Sequence, residues 1–308
     1  MTDRLMLLDT ASLYFRAFYG VPDTAKAPDG RSVNAARGLL DMIAKLVSTY
    51  HPTQLVACWD DDWRPQWRVD LIPSYKTHRV VEVVTGGPDV EEVPDPLEQQ
   101  IPVIRETLAA LGIPIVGAAE HEADDVIGTL ATRTDVPVDI VTGDRDLFQL
   151  IDDSAGVRII YTARGMSNLE ILTDESVVAK YGVLPSQYAD FATMRGDASD
   201  GLPGVKGVGE KTAATLLQKH GDLAGIRAAA DAGEGMSASV AAKVRDASGY
   251  LDVAPTVVEV AKTLDLEVPA ARLHPLDPAE QDAANDLAER WNLGSSMTRA
   301  LAALAGTA

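Results

Sequence analysis

Nine carboxylates stand at spacings that could do chemistry. His121-Glu122-Ala123-Asp124-Asp125 puts three acids at the start of an apolar helical pattern. Thr142-Gly143-Asp144-Arg145-Asp146 sets a D-x-D pair directly after an apolar run, and Gly196-Asp197-Ala198-Ser199-Asp200 supplies a further pair in a loop. Asp9 and Asp60 each close an apolar run. Taken singly these are ordinary features, since one acid favours a helix N-terminus and Asp readily forms turns. Gathered together, they would repel one another and call for a counter-cation. An all-oxygen donor set suits Mg²⁺ or Mn²⁺. Zinc is a poor fit, because the five His are scattered and the single Cys has no partner.

A second chemical signal is Leu202-Pro203-Gly204-Val205-Lys206-Gly207-Val208-Gly209-Glu210-Lys211-Thr212-Ala213. Gly207 and Gly209 let the backbone approach a ligand closely. The helix that follows would aim free N–H groups at an anion, and Lys211 adds charge. This is a phosphate cradle of the helix-hairpin-helix type. The GxxxxGK[ST] spacing of a Walker loop is absent.

Charge is segregated along the chain. The net charge of −19, from 46 acids against 27 Lys and Arg, argues at first against a nucleic-acid partner. Yet Arg64, Arg68, Lys76 and Arg79 cluster in residues 64–79 with one acid, Asp70. Lys206, Lys211 and Lys219 form a second basic stretch. Residues 80–104 carry six acids and no Lys or Arg. Screening confines each patch to about 10 Å, so local sign matters more than the sum.

Parallel strands and crossover helices would position these groups. Arg4–Asp9, Gln54–Asp60, Ile113–Gly117 and Val136–Thr142 read as strands. Ala35–Tyr50, Leu97–Leu111 and Ala123–Arg133 read as the helices between them. That alternation predicts an α/β fold with a mostly parallel sheet. Asp9, Asp60 and Asp144 then lie just past carboxyl ends of strands, where open parallel sheets bind ligands. Residues 1–184 are expected to form this unit and 185–308 a mostly helical second one. The Ala-rich tail, 282–305, has helical spacing and is expected to pack on the first unit. Residues 81–96, with three prolines and a turn signal at Gly86-Gly87-Pro88, read as weakly structured. The length of 308 residues allows a sizeable core. No apolar run reaches the roughly 20 residues of a membrane span, and the N-terminus does not read as a signal peptide. Cys58, alone in an apolar run, reads as a buried hydrophobe in a reducing cytosol.

These motifs, in their order and spacing, resemble the 5′-nuclease family. That family comprises the 5′–3′ exonuclease domain at the N-terminus of bacterial DNA polymerase I, its stand-alone relatives and flap endonucleases. The resemblance rests on LLDTASLYFRAFY, CWD at Asp60, YKTHR, EADDVIG, TGDRDLFQL, GDASDGLPG and GVKGVGEKTA, and runs from Leu5 to about residue 300. No polymerase follows, which suggests a stand-alone member. Arg outnumbers Lys by 18 to 9, which hints at a GC-rich, actinobacterial genome.

The resemblance implies a nuclease that cuts DNA at 5′ ends, flaps and nicks and leaves 5′-phosphates. It implies one divalent ion among Asp9, Asp60, Glu122 and Asp124, and a second held by Asp144, Asp146 and Asp200 with Asp124 shared. Asp125 and Asp197 would act through water. A third ion near Asp146, Asp197 and Asp200 is a further way to neutralise the surplus of acids. Lys76 and Arg79 are the expected catalytic cations. Arg68, Tyr75, Lys76 and Arg79 would belong to a helical arch that admits single strands, with Tyr75 stacking on a base or lying in the core. Arg16, Arg145, Gly207, Gly209 and Lys211 complete the expected DNA contacts, with a potassium ion at the glycine hairpin. A monomer acting at the nucleoid in the cytoplasm, met by replication or repair proteins, is the corresponding expectation. Departures are Thr10-Ala11-Ser12 after the first acid, and a longer, acidic arch containing VVEVV. Two other classes fit parts of the pattern: a DNA-structure-binding protein with a dead site, and a Toprim- or PIN-type nuclease acting on RNA.

Overall fold

A computed structural model describes residues 3–85, 87–267 and 270–306. Gly86, within the expected turn, lies outside them. The strands in chain order are β1 (Leu5–Asp9), β2 (Gln54–Cys58), β3 (Val80–Glu82), β4 (Val90–Glu91), β5 (Ile115–Val116), β6 (Val138–Thr142), β7 (Val157–Tyr161) and β8 (Glu170–Leu172). Six of them form one sheet, ordered β5-β2-β1-β6-β7-β8, in which only β8 is antiparallel.

The central strand shows why the sheet forms. All five residues of β1 are buried, the continuous apolar run expected where helices cover both faces. Leu5 and Leu7 join the core on one face, Met6 and Leu8 the core on the other. Helix Ala123–Arg133 covers the first face, and helices Thr10–Gly20 and Asn34–Tyr50 cover the second. Cys58 is fully buried, with no disulfide. The Ala-rich tail forms two helices, Pro278–Arg290 and Gly294–Ala305, whose apolar sides join the second core through Leu287, Met297 and Leu304. Residues 271–273 run along the sheet edge, where Leu55 N donates to the Ala271 carbonyl (2.9 Å) and Leu273 N to that of Thr53 (2.9 Å).

The segment expected as a helical arch is built differently. Among the described residues between Pro65 and Gln100, it is helical only at Gln66–Leu71, Thr77–Arg79 and Asp95–Glu98. Between these lies the β3–β4 ribbon, carrying the valines of the expected weakly structured stretch. The predicted helix Leu97–Leu111 is correspondingly split, with Ile101–Ala110 as its main part.

Candidate functional site

The ends of the strands, with the loop that follows helix Tyr188–Arg195, bring seven of the nine carboxylates together at the carboxyl edge of the sheet. Asp9, Asp60, Glu122, Asp124 and Asp144 line a cavity of about 260 Å³, together with Lys76, Arg79 and Glu91. Glu122, Asp124, Asp146 and Asp200 line an adjoining void of about 10 Å³, room for roughly one water-sized species. Glu122 and Asp124 border both.

Local structure fixes each acid. Asp9 caps helix Thr10–Gly20, accepting from Ser12 N at 3.2 Å, and its other oxygen accepts from Thr142 Oγ1 at 2.6 Å. Asp60 accepts from Ala123 N at 2.8 Å, which ties the end of the second strand to the start of the acidic helix. Asp144 accepts from Asp146 N at 2.9 Å, the turn expected of a D-x-D. Asp200 is joined to the basic loop: Lys76 N donates to its carbonyl (2.9 Å), and Arg79 Nη2 to its carboxylate (3.3 Å). Gly201 sits at φ +71°, and a Cβ there would come within 2.1 Å of the Ser74 carbonyl, so only glycine lets these loops meet.

Electrostatics follow from burial. Burial first, and then the neighbouring carboxylates, push Asp9 up to about 7 and Asp124 and Asp146 well above the usual carboxylate range. Burial also raises Asp60, Glu122 and Asp200, against the pull of Lys76. Lys76 Nζ lies 2.7 Å from Glu122 Oε1. Burial alone would lower the Lys76 pKa, but the Glu122 charge raises it well above normal. The Glu122 carboxylate also accepts from Tyr75 Oη at 2.9 Å.

A divalent ion fits this donor set. The oxygens are all hard, they are crowded and partly uncompensated, and Asp146 Oδ1 is buried with no hydrogen-bond partner. Among the described residues no group of three or more acids, His or Cys is drawn together as a ready-made cage. Lys76 and Arg79 instead lie against Glu122 and Asp200, where they offset part of the charge.

Three expected site residues, Arg68, Asp125 and Asp197, are placed elsewhere than the sequence suggested, and Tyr75 takes one of its two expected places. Arg68, expected to face DNA, is 2% exposed. Its guanidinium pairs bidentately with Asp125 (2.8 and 2.8 Å), donates to the Val257 carbonyl (3.1 Å) and lies over the Trp67 ring. It also lies 3.4 Å from Glu122 Oε2 and borders the smaller void from inside the fold. Asp125 correspondingly points away from both cavities. Burial opposes its ionisation, but the Arg68 hydrogen bonds hold it below the ordinary range. Tyr75, expected as a stacking platform or a core residue, is 3% exposed and takes the core alternative. Asp197 accepts from Ser199 N (2.9 Å) and Arg195 Nη2 (2.9 Å) and lines neither cavity.

The remaining expected contact residues lie at or near the surface. Arg16 lines a groove of about 800 Å³ that shares Ser12 and Phe15 with the acid cavity. Arg145 is half-exposed near Glu210 (3.6 Å). Gly207, Gly209 and Lys211 are exposed at the start of helix Glu210–His220, whose first turn has no side-chain cap. Gly207 has φ +74°, and its carbonyl accepts from Lys243 Nζ at 3.3 Å. Lys243 was not legible as part of this hairpin, being 36 residues away on another helix. Glu91 was likewise missed, because nothing local marks it among the acids of the insert.

The sheet with its acidic carboxyl edge, joined to a helical unit bearing an exposed glycine hairpin, defines a class: α/β proteins that gather carboxylates and basic side chains at one edge of a mostly parallel sheet. Residues 4–182 match the N-terminal resolvase-like domain of 5′–3′ exonucleases, and residues 183–281 their C-terminal SAM fold. The chain belongs to the 5′–3′ exonuclease family. It is 56% identical to a 5′–3′ exonuclease of Streptomyces coelicolor over 97% of this chain and 99% of that one. It is 49% identical to one of Mycobacterium tuberculosis, over 99% and 98% respectively. Its fold is similar to that of the bacteriophage T5 D15 flap endonuclease in a complex with DNA and metal ions (TM-score 0.62, 16% identity, 98% and 99% covered).

Proposed function

We propose that the chain is a structure-specific 5′-nuclease, a 5′–3′ exonuclease and 5′-flap endonuclease that hydrolyses DNA phosphodiesters with Mg²⁺ or Mn²⁺ and leaves 5′-phosphates. One observation carries this reading: seven carboxylates from five separate segments meet at one sheet edge, beside two fixed cations. Asp9, Asp60, Glu122 and Asp124 would hold one ion, and Asp144, Asp146 and Asp200, with Asp124 shared, a second. When bound, such ions supply hydroxide at neutral pH and stabilise the leaving oxygen. Lys76 and Arg79, released from Glu122 and Asp200 once metal neutralises those acids, would clamp the scissile phosphate. The exposed N–H groups of the Gly207–Gly209 hairpin, with Lys211 and Lys243, would hold a backbone phosphate of the duplex, a potassium ion assisting. A third ion needs Asp197, whose oxygens are engaged by Ser199 and Arg195, so the reading keeps two.

The setting would be DNA replication and repair in the cytoplasm, with the monomer as the working unit. Among the described residues, no helix is long and apolar enough to cross a membrane. A DNA-binding protein with a dead site is disfavoured, because every acid of the pattern is present. The test is digestion of an end-labelled 5′-flap, a nicked duplex and a matched RNA with Mg²⁺, Mn²⁺ or EDTA. Metal-dependent release of 5′-phosphate products from the DNAs is expected. Equal cutting of RNA, or cutting in EDTA, would contradict the reading.

A further inference from the structure

The acidic ribbon formed by Val80–Glu82 and Val90–Glu91 is anchored beside the site. Asp89 is 8% exposed and pairs with Arg64, itself 7% exposed. The same guanidinium donates to the Tyr75 carbonyl (2.6 Å) and to Thr77 Oγ1 (3.2 Å), both in the basic loop. Trp63 Nε1 donates to the Asp89 carbonyl (2.7 Å), and Glu92 N to the Arg79 carbonyl (2.7 Å). These bonds tie the ribbon to the basic loop, and Glu91 shares a rung with Val80, the residue after Arg79.

This anchoring puts the Glu91 side chain in the wall of the catalytic cavity, with Lys76, Arg79, Asp60 and Glu122. Burial raises its pKa, Asp60 and Glu122 add to that, and the charges of Arg79 and Lys76 oppose it. No described residue forms a hydrogen bond or ion pair with its carboxylate. The surroundings are acidic as well: residues 80–104 hold no Lys or Arg. Val81 and Val83, at 66% and 70% exposure, leave the outer strand open to solvent.

We propose that Glu91 is a specificity-determining residue: a fixed negative charge in the cavity wall that weakens the hold of Lys76 and Arg79 on DNA phosphate. This rests on the nuclease reading above. A long single-stranded 5′ flap carries more phosphates than a nick does, and each that approaches Lys76 and Arg79 meets the Glu91 charge in the same wall. The penalty therefore falls more heavily on flaps, and Glu91 biases the enzyme toward nicks and short 5′ ends. Electrostatic terms of this kind act on encounter and binding more than on the chemical step.

The test measures KM and kcat for Glu91→Gln and Glu91→Lys on a long 5′ flap and on a nicked duplex, at two salt concentrations, with Asp144→Asn as the inactive control. Glu91→Gln is expected to lower KM on the flap by about three- to fivefold, as for an exposed charge pair, with less change on the nick and kcat within about twofold. Glu91→Lys deepens the effect, and the salt slope of binding steepens by up to about one phosphate contact. An unchanged KM on both substrates overturns the inference while leaving the nuclease reading intact. A fall in kcat that extra Mg²⁺ restores also overturns it, because Glu91 would then be helping to hold metal. A wild-type chain that cleaves neither DNA sinks the parent reading and this one with it.

Discussion

Replacing Arg68 with Met tests how the acidic helix is braced. Arg68 is 2% exposed and Asp125 fully buried, and they form two hydrogen bonds of 2.8 Å. The substitution keeps most of the aliphatic volume and removes the charge. It also loses the bond to the Val257 carbonyl, the 3.4 Å ion pair with Glu122 and the packing over Trp67. Asp125 would keep only the bonds from Ala261 N (2.8 Å) and Glu122 N (3.3 Å). Breaking a buried pair by removing one partner costs about 3–5 kcal/mol, a large share of the roughly 5–15 kcal/mol that holds a protein together. At about 2.1 cal/mol/K per residue, a chain of 308 residues unfolds with an entropy of about 0.65 kcal/mol/K, so 4 kcal/mol lowers Tm by about 6 °C. Adding Asp125→Asn should recover about 1–2 kcal/mol, because a neutral amide oxygen still accepts from Ala261 N and no charge is stranded. Urea denaturation of the four members of the cycle gives these numbers, and filter binding gives the DNA Kd. A stability loss under about 1 kcal/mol for Arg68→Met, together with a tenfold weaker DNA Kd, would refute the argument and return Arg68 to the DNA-facing surface.

Three further outcomes are expected. Asp124→Asn and Asp144→Asn should each reduce cleavage at saturating Mg²⁺ by at least about a thousandfold, since a metal-bound nucleophile carries much of the rate, while gel-shift affinity for flap DNA holds or improves; near wild-type turnover would remove both from the ligand set. Lys211→Ala should weaken binding to all duplex-containing substrates alike and lower the salt slope by about one, whereas Lys76→Ala should slow catalysis; matching profiles for the two would abolish that division of labour. In EDTA the raised carboxyls make the folded chain bind more protons than the unfolded one, between the ordinary carboxylate range and the Asp9 value of about 7. Stability of the metal-free protein therefore falls as pH rises through that window. Melting scans should give a higher Tm at pH 5.5 than at 7.5, and saturating Mg²⁺ should raise the pH 7.5 value most; a metal-free Tm that rises with pH contradicts the assigned repulsion.

Much of the fold was legible because its signals are local. The apolar runs that end in Asp9, Asp60 and Thr142 became parallel strands, and Ala123–Arg133 kept its predicted bounds. β7 and β8 were not read, although Val157–Tyr161 is also an apolar run; no acid marked its end. The arch was read as helical from resemblance, yet Val80, Val81 and Val90 are β-branched residues that favour a ribbon, and Asp89 anchors it through Arg64. Site residues were legible by type but not by direction. Asp124 and Asp125 are neighbours on one helix, so their side chains diverge by about 100°; one lines the cavity and the other meets Arg68. Nothing in the order of letters says which cation of the 64–79 cluster will be needed inside. Arg68 goes in because Asp125, fully buried, requires a charged partner.

The central claim is that the crowded carboxylates exist to bind divalent cations. A crystal equilibrated with Mn²⁺ and measured for anomalous scattering tests it most directly. The account predicts two strong peaks, one among Asp9, Asp60, Glu122 and Asp124 and one beside Asp144, Asp146 and Asp200, with Lys76 Nζ withdrawn from Glu122. In Asp124→Asn the peaks weaken together, because that carboxylate borders both cavities. Saturating Mn²⁺ with no anomalous density at the sheet edge, and Lys76 still seated on Glu122, would contradict it.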